Sequence, residues 1–236
     1  MGNAALITAA GSSIRMEGGE KKEYRLLSGK PVLAHAVLPF LESRLFDEIV
    51  ITVCPSHIPK VERLLEPFAD IRRLVFVEGG ESRSHSVRLG LLKLAERAPD
   101  YVLIHDGARP WVDDELIGRV LEGTRRAGAC IPVIEAPDAV KEVDSSGYIQ
   151  RHLDRRTVVF AQTPQGFLFS RILEAHRRAS GSDRLYVDDA EVYAEFVGPV
   201  LTVPGSIGNT KITYPRDLMP SYSAPSDLSP SDQEGP

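Results

Sequence analysis

Between residues 4 and 24 the chain reads AALITAAGSSIRMEGGEKKEY, an apolar run followed by small residues and then by Arg15 and Lys22. Ala9, Ala10 and Gly11 carry no bulk, so backbone amides there can approach a ligand closely. Two cations on the same loop suit phosphoryl or nucleotidyl transfer, where charge develops on phosphate oxygens. The loop matches neither the Walker A pattern nor the G-x-G-x-x-G dinucleotide fingerprint. A surface loop with two solvated cations, in the company of Lys21 and Glu23, is the plainer alternative. A second loop, EGGESRSHSV (78–87), again leaves an apolar run and enters a helical pattern. Gly80 and its neighbour Gly79 admit close backbone approach, and Ser86 with Ser82 and Ser84 offers hydroxyls for a base or ribose edge. Turn chemistry with Ser82 as N-cap explains the same residues more simply. The third loop is HDGARP (105–110). Asp106 directly after a strand suits a Mg²⁺ ligand, since Mg²⁺ takes one or two carboxylates and fills its octahedron with phosphate oxygens and water. Arg109 adds an anion contact, while Asp113 or Asp114 caps the next helix. Together the three loops assemble what a nucleoside triphosphate with Mg²⁺ requires.

The elements that must position these loops alternate. Ala4–Ala10, Glu48–Val53, Leu74–Val77 and Tyr101–His105 read as strands. Pro31–Ser43, a segment from Ser56 (as N-cap) to Phe68, Ser82–Ala98 and a stretch after Asp113 read as helices. This βαβα order predicts an α/β fold with a doubly wound, mostly parallel sheet, and ligands beyond the carboxyl ends of the strands. After Ile131 the rhythm breaks. AVKEVDSSGYIQRHLD (139–154) alternates with period two around Ser145-Ser146-Gly147, as a β-hairpin would. Such a ribbon is marginal alone, so a protruding arm over about 137–157 packs against something else, a second copy of the chain being the natural candidate. Helices follow at Ser170–Ser180 and Asp188–Phe196, with a strand near Val200–Val203. Residues 1–220 thus form one domain. The Ser/Pro/acid-rich stretch 221–236 reads as a disordered tail.

Composition narrows the possibilities. The 236 residues are 42% hydrophobic and 26% charged, a globular profile, and no apolar run is long enough to span a bilayer. A net charge of -5 argues against nucleic-acid binding across the surface. Cys54 and Cys130 sit in apolar runs and read as reduced core residues of a cytoplasmic protein. Six histidines show no zinc-ligand spacing.

The segments TAAGSSIRM, KEY, GGESRSHSV, HDGARP, LDR, QTPQGF and NTKIT occur in an order and spacing that resemble the 2-C-methyl-D-erythritol 4-phosphate cytidylyltransferases of non-mevalonate isoprenoid biosynthesis. The resemblance covers about residues 4–219 and implies a Rossmann-like nucleotidyltransferase fold. It also implies a Mg²⁺-dependent transfer of CMP from CTP to the alcohol phosphate, with pyrophosphate released. By position, Arg15 and Lys22 match the cations that stabilise the α-phosphorus and Asp106 the metal ligand. Ala9, Ala10, Gly11, Gly80 and Ser86 match the nucleotide cradle. Arg109, Arg155, Thr163 and Lys211 match groups that bind the acceptor. A homodimer joined through the β-arm is implied as well. Four positions depart from the family pattern: Lys21 replaces a proline, Glu23 a glutamine, and Ala139 and Val187 each a threonine. The two lost hydroxyls keep another polyol phosphate, such as ribitol 5-phosphate, as an alternative acceptor. A catalytically silent nucleotide-binding protein on the same fold is the reading from another class.

Overall fold

The computed structural model describes residues 2–11, 20–182 and 184–218, so Arg15 and the stretch 221–236 lie outside the described residues. In chain order the strands are β1 (Asn3–Ala9), β2 (Leu26–Leu27), β3 (Lys30–Pro31), β4 (Glu48–Val53), β5 (Leu74–Glu78), β6 (Tyr101–Asp106), β7 (Ala129–Glu135), β8 (Lys141–Val143), β9 (Ile149–His152), β10 (Val159–Ala161), β11 (Gln165–Leu168) and β12 (Leu201–Pro204). The helices are α1 (Val32–Glu42), α2 (Ile58–Leu65), α3 (Arg83–Leu94), α4 (Asp114–Ala127), α5 (Phe169–Ala179) and α6 (Asp189–Phe196).

Eight strands form one sheet in the order β10-β7-β11-β6-β1-β4-β5, with β12 paired to β7. The pairs β1–β4, β1–β6, β4–β5 and β7–β12 are parallel. Strands β10 and β11 run antiparallel to their neighbours. Side-chain alternation divides the core into two layers. Ala5, Ile7, Ile49, Ile51 and Leu103 face α1, α2 and α4. Ala4, Leu6, Val50, Val102 and Ile104 face α3, α5 and α6. The chain passes from β1 outward to β4 and β5, then returns to β6 on the other side of β1. The crevice beyond the ends of β1 and β6 is therefore the switch point where such sheets bind ligands.

Helix starts follow local chemistry. Ser82, Asp113 and Asp188 cap α3, α4 and α6 by accepting from the amides of His85, Leu116 and Glu191. Gly128, at φ +82°, ends α4 in the left-handed conformation. Two expected boundaries move. Ser56 does not cap a helix: Pro55–His57 form a 3-10 turn and α2 begins at Ile58, with Pro59 in its first turn and no side-chain cap. Helix α3 stops at Leu94, because Leu94 is its last apolar anchor and Ala98 already has φ +48°.

The 139–154 segment contains the paired strands β8 and β9, joined through a turn in which Asp144 accepts from the amides of Ser146 and Tyr148. Gly147 stands there at φ +86°, a conformation open to glycine. All residues of both strands are exposed, including Val143 and Ile149.

Candidate functional site

The three loops meet at the switch point, and the glycines show how closely. A Cβ on Gly79 would stand 2.2 Å from the Ala10 Cβ, and one on Gly107 would stand 3.4 Å from the Ala9 Cβ. First and second loops are thus in contact, as are first and third. The Gly107 amide donates to Thr8 O at 2.9 Å and the Gly79 amide to Val53 O at 2.7 Å, so each loop extends a neighbouring strand. Lys21, where the family pattern has proline, binds the first loop itself: its ammonium donates to Gly11 O at 2.7 Å and Ala10 O at 3.2 Å. The Ser86 hydroxyl is buried within the second loop, accepting from the Gly80 amide and donating to Ser82 O at 2.9 Å. That hydroxyl shapes the loop, and Gly80 owes its place to His85, whose ring a Cβ there would strike at 2.4 Å or less.

Asp106 ends β6 with 6% of its surface exposed. Its Oδ1 lies 3.1 Å from Arg83 Nε, and its Oδ2 lies 2.8 Å from Lys211 Nζ and 3.6 Å from Arg109 Nε. Burial alone would raise the carboxyl pKa, but Lys211, Arg83 and Arg109 outweigh it and hold the value well below the usual range. The group is a carboxylate throughout the physiological range. Three cations around it leave a surplus of positive charge for an anionic ligand.

The backbone beneath Asp106 is held by a chain of hydrogen bonds whose directions are determined. His105 Nε2 faces Arg109 O at 3.1 Å, and a carbonyl can only accept, so that nitrogen carries the proton. Nδ1 therefore accepts from the Thr163 hydroxyl at 3.0 Å, and Thr163 Oγ1 in turn accepts from the Asp106 amide at 3.1 Å. His105 is fully buried against Phe40, on the opposite face from Asp106, as strand alternation requires. Burial depresses its pKa to about 4. Thr163, expected among acceptor contacts, is buried and bound to this network.

Residues 206–212 close the site from the far end of the chain. Gln162 exchanges hydrogen bonds with the backbone of Ser206, and Asn209 Nδ2 donates to Thr163 O at 2.8 Å. Arg109 Nη1 donates to Asn209 O at 2.8 Å, and the Ile212 amide to Ala108 O at 2.8 Å. Lys22 Nζ donates to Ile212 O at 2.8 Å. Lys22 and Asp106 therefore attach to adjacent residues of one short segment. Arg155 stands apart: its Nη1 lies 3.5 Å from Pro137 O, and it lines a groove with Val159 and Ile207. Among the described residues, no hydrogen bond or ion pair of one chain joins Arg155 to the Asp106 cluster. Ala139 and Val187 are exposed, the latter at 85%.

Sequence reasoning passed over Arg83, although it sits inside the second motif. Its signal was position alone, the first helical residue of a loop already suspected. Asp189 also proves structural, fully buried between Arg83 and His176, while Asp188 is the cap of α6.

Among the described residues, no group of three or more His, Cys, Asp or Glu side chains could hold a metal ion. Asp106 offers a single ionised carboxylate whose oxygens face internal cations. That donor set suits Mg²⁺ in company with a polyphosphate, whose oxygens make up the missing ligands.

The model of one family, described as "IspD: 2-C-methyl-D-erythritol 4-phosphate cytidylyltransferase", matches residues 3–222. A 2-C-methyl-D-erythritol 4-phosphate cytidylyltransferase of Syntrophus aciditrophicus (strain SB) is 40% identical over 216 residues, covering 91% of this chain and 92% of that protein. A bifunctional enzyme IspD/IspF of Rhodopseudomonas palustris (strain TIE-1) is 43% identical over 218 residues, 91% of this chain and 54% of its own length. The chain thus spans about half of that bifunctional relative. The crystal structure of 4-diphosphocytidyl-2C-methyl-D-erythritol synthase from Anaerococcus prevotii DSM 20548 superimposes with a TM-score of 0.82 at 28% identity, over 92% of both chains. A 2-C-methyl-D-erythritol 4-phosphate cytidylyltransferase from Thermus thermophilus gives 0.74 at 31% identity, over 92% of this chain and 96% of that one.

Proposed function

The chain belongs to the 2-C-methyl-D-erythritol 4-phosphate cytidylyltransferase family, and from that premise we propose how its residues divide the work. The reaction transfers CMP from CTP to 2-C-methyl-D-erythritol 4-phosphate, giving 4-diphosphocytidyl-2-C-methyl-D-erythritol and pyrophosphate. An oxygen of the acceptor phosphate forms a bond to the α-phosphorus, and the bond from that phosphorus to the bridging oxygen of the leaving pyrophosphate breaks. The acceptor is already a nucleophile, so positioning and charge neutralisation carry the chemistry.

The single observation behind the assignment is the cluster at Asp106, with Lys22 bonded to the same closing segment. Ala9, Ala10, Gly11 and Gly80 form the nucleotide cradle, and Ser86 holds the second loop in shape. Lys22, with Arg15 assigned by family position, stabilises charge on the α-phosphate. Lys211 and Arg109 bind phosphate oxygens. Asp106 serves as the protein's ligand to Mg²⁺, which when bound neutralises charge on the triphosphate. Thr163 and His105 hold the Asp106 backbone in place.

Arg155 meets the acceptor from a second copy of the chain in this reading. The support is the exposed apolar surface of the ribbon and of the β10 edge, Val143, Tyr148, Ile149, Val159 and Phe160 being 44–72% exposed. Pyrophosphate release, measured with CTP and Mg²⁺ against a panel of acceptors, tests the assignment. Turnover is expected with 2-C-methyl-D-erythritol 4-phosphate. Turnover confined to ribitol 5-phosphate would reverse the acceptor, and CTP binding with no turnover on any acceptor would support the silent reading.

A further inference from the structure

Arg83 opens α3 behind the Ser82 cap and carries two carboxylates on one guanidinium. Its Nε lies 3.1 Å from Asp106 Oδ1, and its Nη2 lies 2.8 Å from Asp189 Oδ2. Asp189 is 1% exposed, at the first position of α6, and its Oδ1 lies 3.1 Å from Nε2 of His176, itself 1% exposed on α5. The line Asp106–Arg83–Asp189–His176 thus ties the end of β6 to the start of α3 and to the α5–α6 pair. The Arg83 side chain is 28% exposed while its Nη2 is buried, so the line runs inward from the rim of the site.

We propose that Arg83 is a positioning residue for Asp106, setting the carboxylate's orientation toward Mg²⁺ while Asp189 and His176 set the orientation of Arg83. The proposal rests on the assignment of Asp106 as metal ligand. The division of the two oxygens supports it. Lys211 faces Oδ2 from a segment that also belongs to the acceptor side, whereas Arg83 faces Oδ1 from a helix start anchored in the core. When Lys211 turns to a ligand phosphate, Arg83 keeps the carboxylate from rotating. Arg83 Nε makes a directed hydrogen bond to Asp106 while Nη2 meets Asp189 as an ion pair, and an ammonium cannot reach both carboxylates from one planar group.

The test uses the full-length protein and the variants Arg83→Lys and Asp189→Asn. The first keeps the charge but loses the fork; the second keeps the side-chain shape but loses the anchor's charge. Thermal melts establish that each variant is folded, and Asp189→Asn keeps the question open to measurement if Arg83→Lys does not fold. Two readouts are taken: the Mg²⁺ concentration for half-maximal pyrophosphate release, and CTP affinity by calorimetry with Mg²⁺ or with EDTA. Loss of an outer partner of a metal ligand typically weakens the metal by 10–100-fold, so the half-maximal Mg²⁺ should rise about tenfold in Arg83→Lys. Asp189→Asn should move it in the same direction. The calorimetric loss should appear with Mg²⁺, and affinity in EDTA should stay within about twofold of the wild type. Folded variants with an unchanged Mg²⁺ response would overturn the proposal, as would an equal loss of CTP affinity with and without metal. A wild-type enzyme that turns over without Mg²⁺ would overturn the assignment of Asp106 itself, and this proposal with it.

Discussion

At Asp106 a carboxylate meets three cations, while one residue earlier His105 is sealed from water as a neutral ring. Their neighbouring environments differ because adjacent strand residues face opposite layers, one toward α3 and α6, the other toward α1. His105 gives a pH dependence with a definite sign. Its folded-state pKa of about 4 lies below the ordinary 6.5, so the unfolded chain takes up the proton first as the pH falls. The stabilisation is complete above pH 6.5 and is lost between there and about 4. A gap of that size corresponds to roughly 3 kcal/mol. His105→Gln should therefore show a shallower fall in urea midpoint between pH 7 and pH 4.5 than the wild type. Equal slopes in the two proteins would remove His105 from the pH response. Asp106, depressed by its cations, and Asp189 act in the same sense at lower pH, which is why the variant comparison, and not the wild-type curve, isolates the histidine.

At the scale of elements, the four long strands and four helices of residues 3–127 were legible because each carries an apolar run or period, whereas the two-residue strands β2 and β3 are too short to carry one. Leu33, Val37, Phe40 and Leu41 mark one side of α1, and the β-branched run 49–53 marks β4. The second half was less legible for reasons that its own residues supply. Strand β7 contains Pro132, ordinarily a sign against a strand. The registers explain its tolerance. On one side β11 pairs with Ala129 and Cys130 and β10 with residues 133–135, so Pro132 falls between them with only its carbonyl used, by the Gln162 amide. On the other side it is in register with Val203 of β12. Strand β11 contains Gly166, where a Cβ would strike Thr124 Oγ1. That close approach between β11 and α4 depends on the whole sheet and leaves no local period to read. The three motif loops meet beyond the strand ends as their order implied, but Arg83 was hidden because an exposed-looking arginine at a helix start has no pattern of its own. The contact between the first two loops yields a further expectation. Gly79→Ala would press its methyl into Ala10, and overpacking of this kind typically costs about 1–3 kcal/mol. The variant should melt lower and bind CTP more weakly by calorimetry; unchanged CTP affinity would show that the loops can part without opening the cradle.

For the molecule as a whole, among the described residues the sheet has an unpaired edge at β10, where Val159 and Phe160 are 44% and 48% exposed. An apolar edge strand invites pairing with another chain unless it is guarded. A homodimer seated there would explain why Arg155 is placed away from the cluster that it is proposed to serve. Phe160→Asp should accordingly give a slower-sedimenting species in analytical ultracentrifugation and lose activity with it, while monomers of full activity would argue that each chain is sufficient alone. Where the charge cluster comes from in the chain has another consequence. Asp106 and the lysine that faces it are 105 positions apart, and Lys211 follows the final strand of the sheet. At about 5–20 residues per second of synthesis, roughly 5–20 seconds pass between the emergence of one and of the other. A nascent chain on the ribosome therefore displays the Asp106 loop several seconds before the lysine that faces it exists.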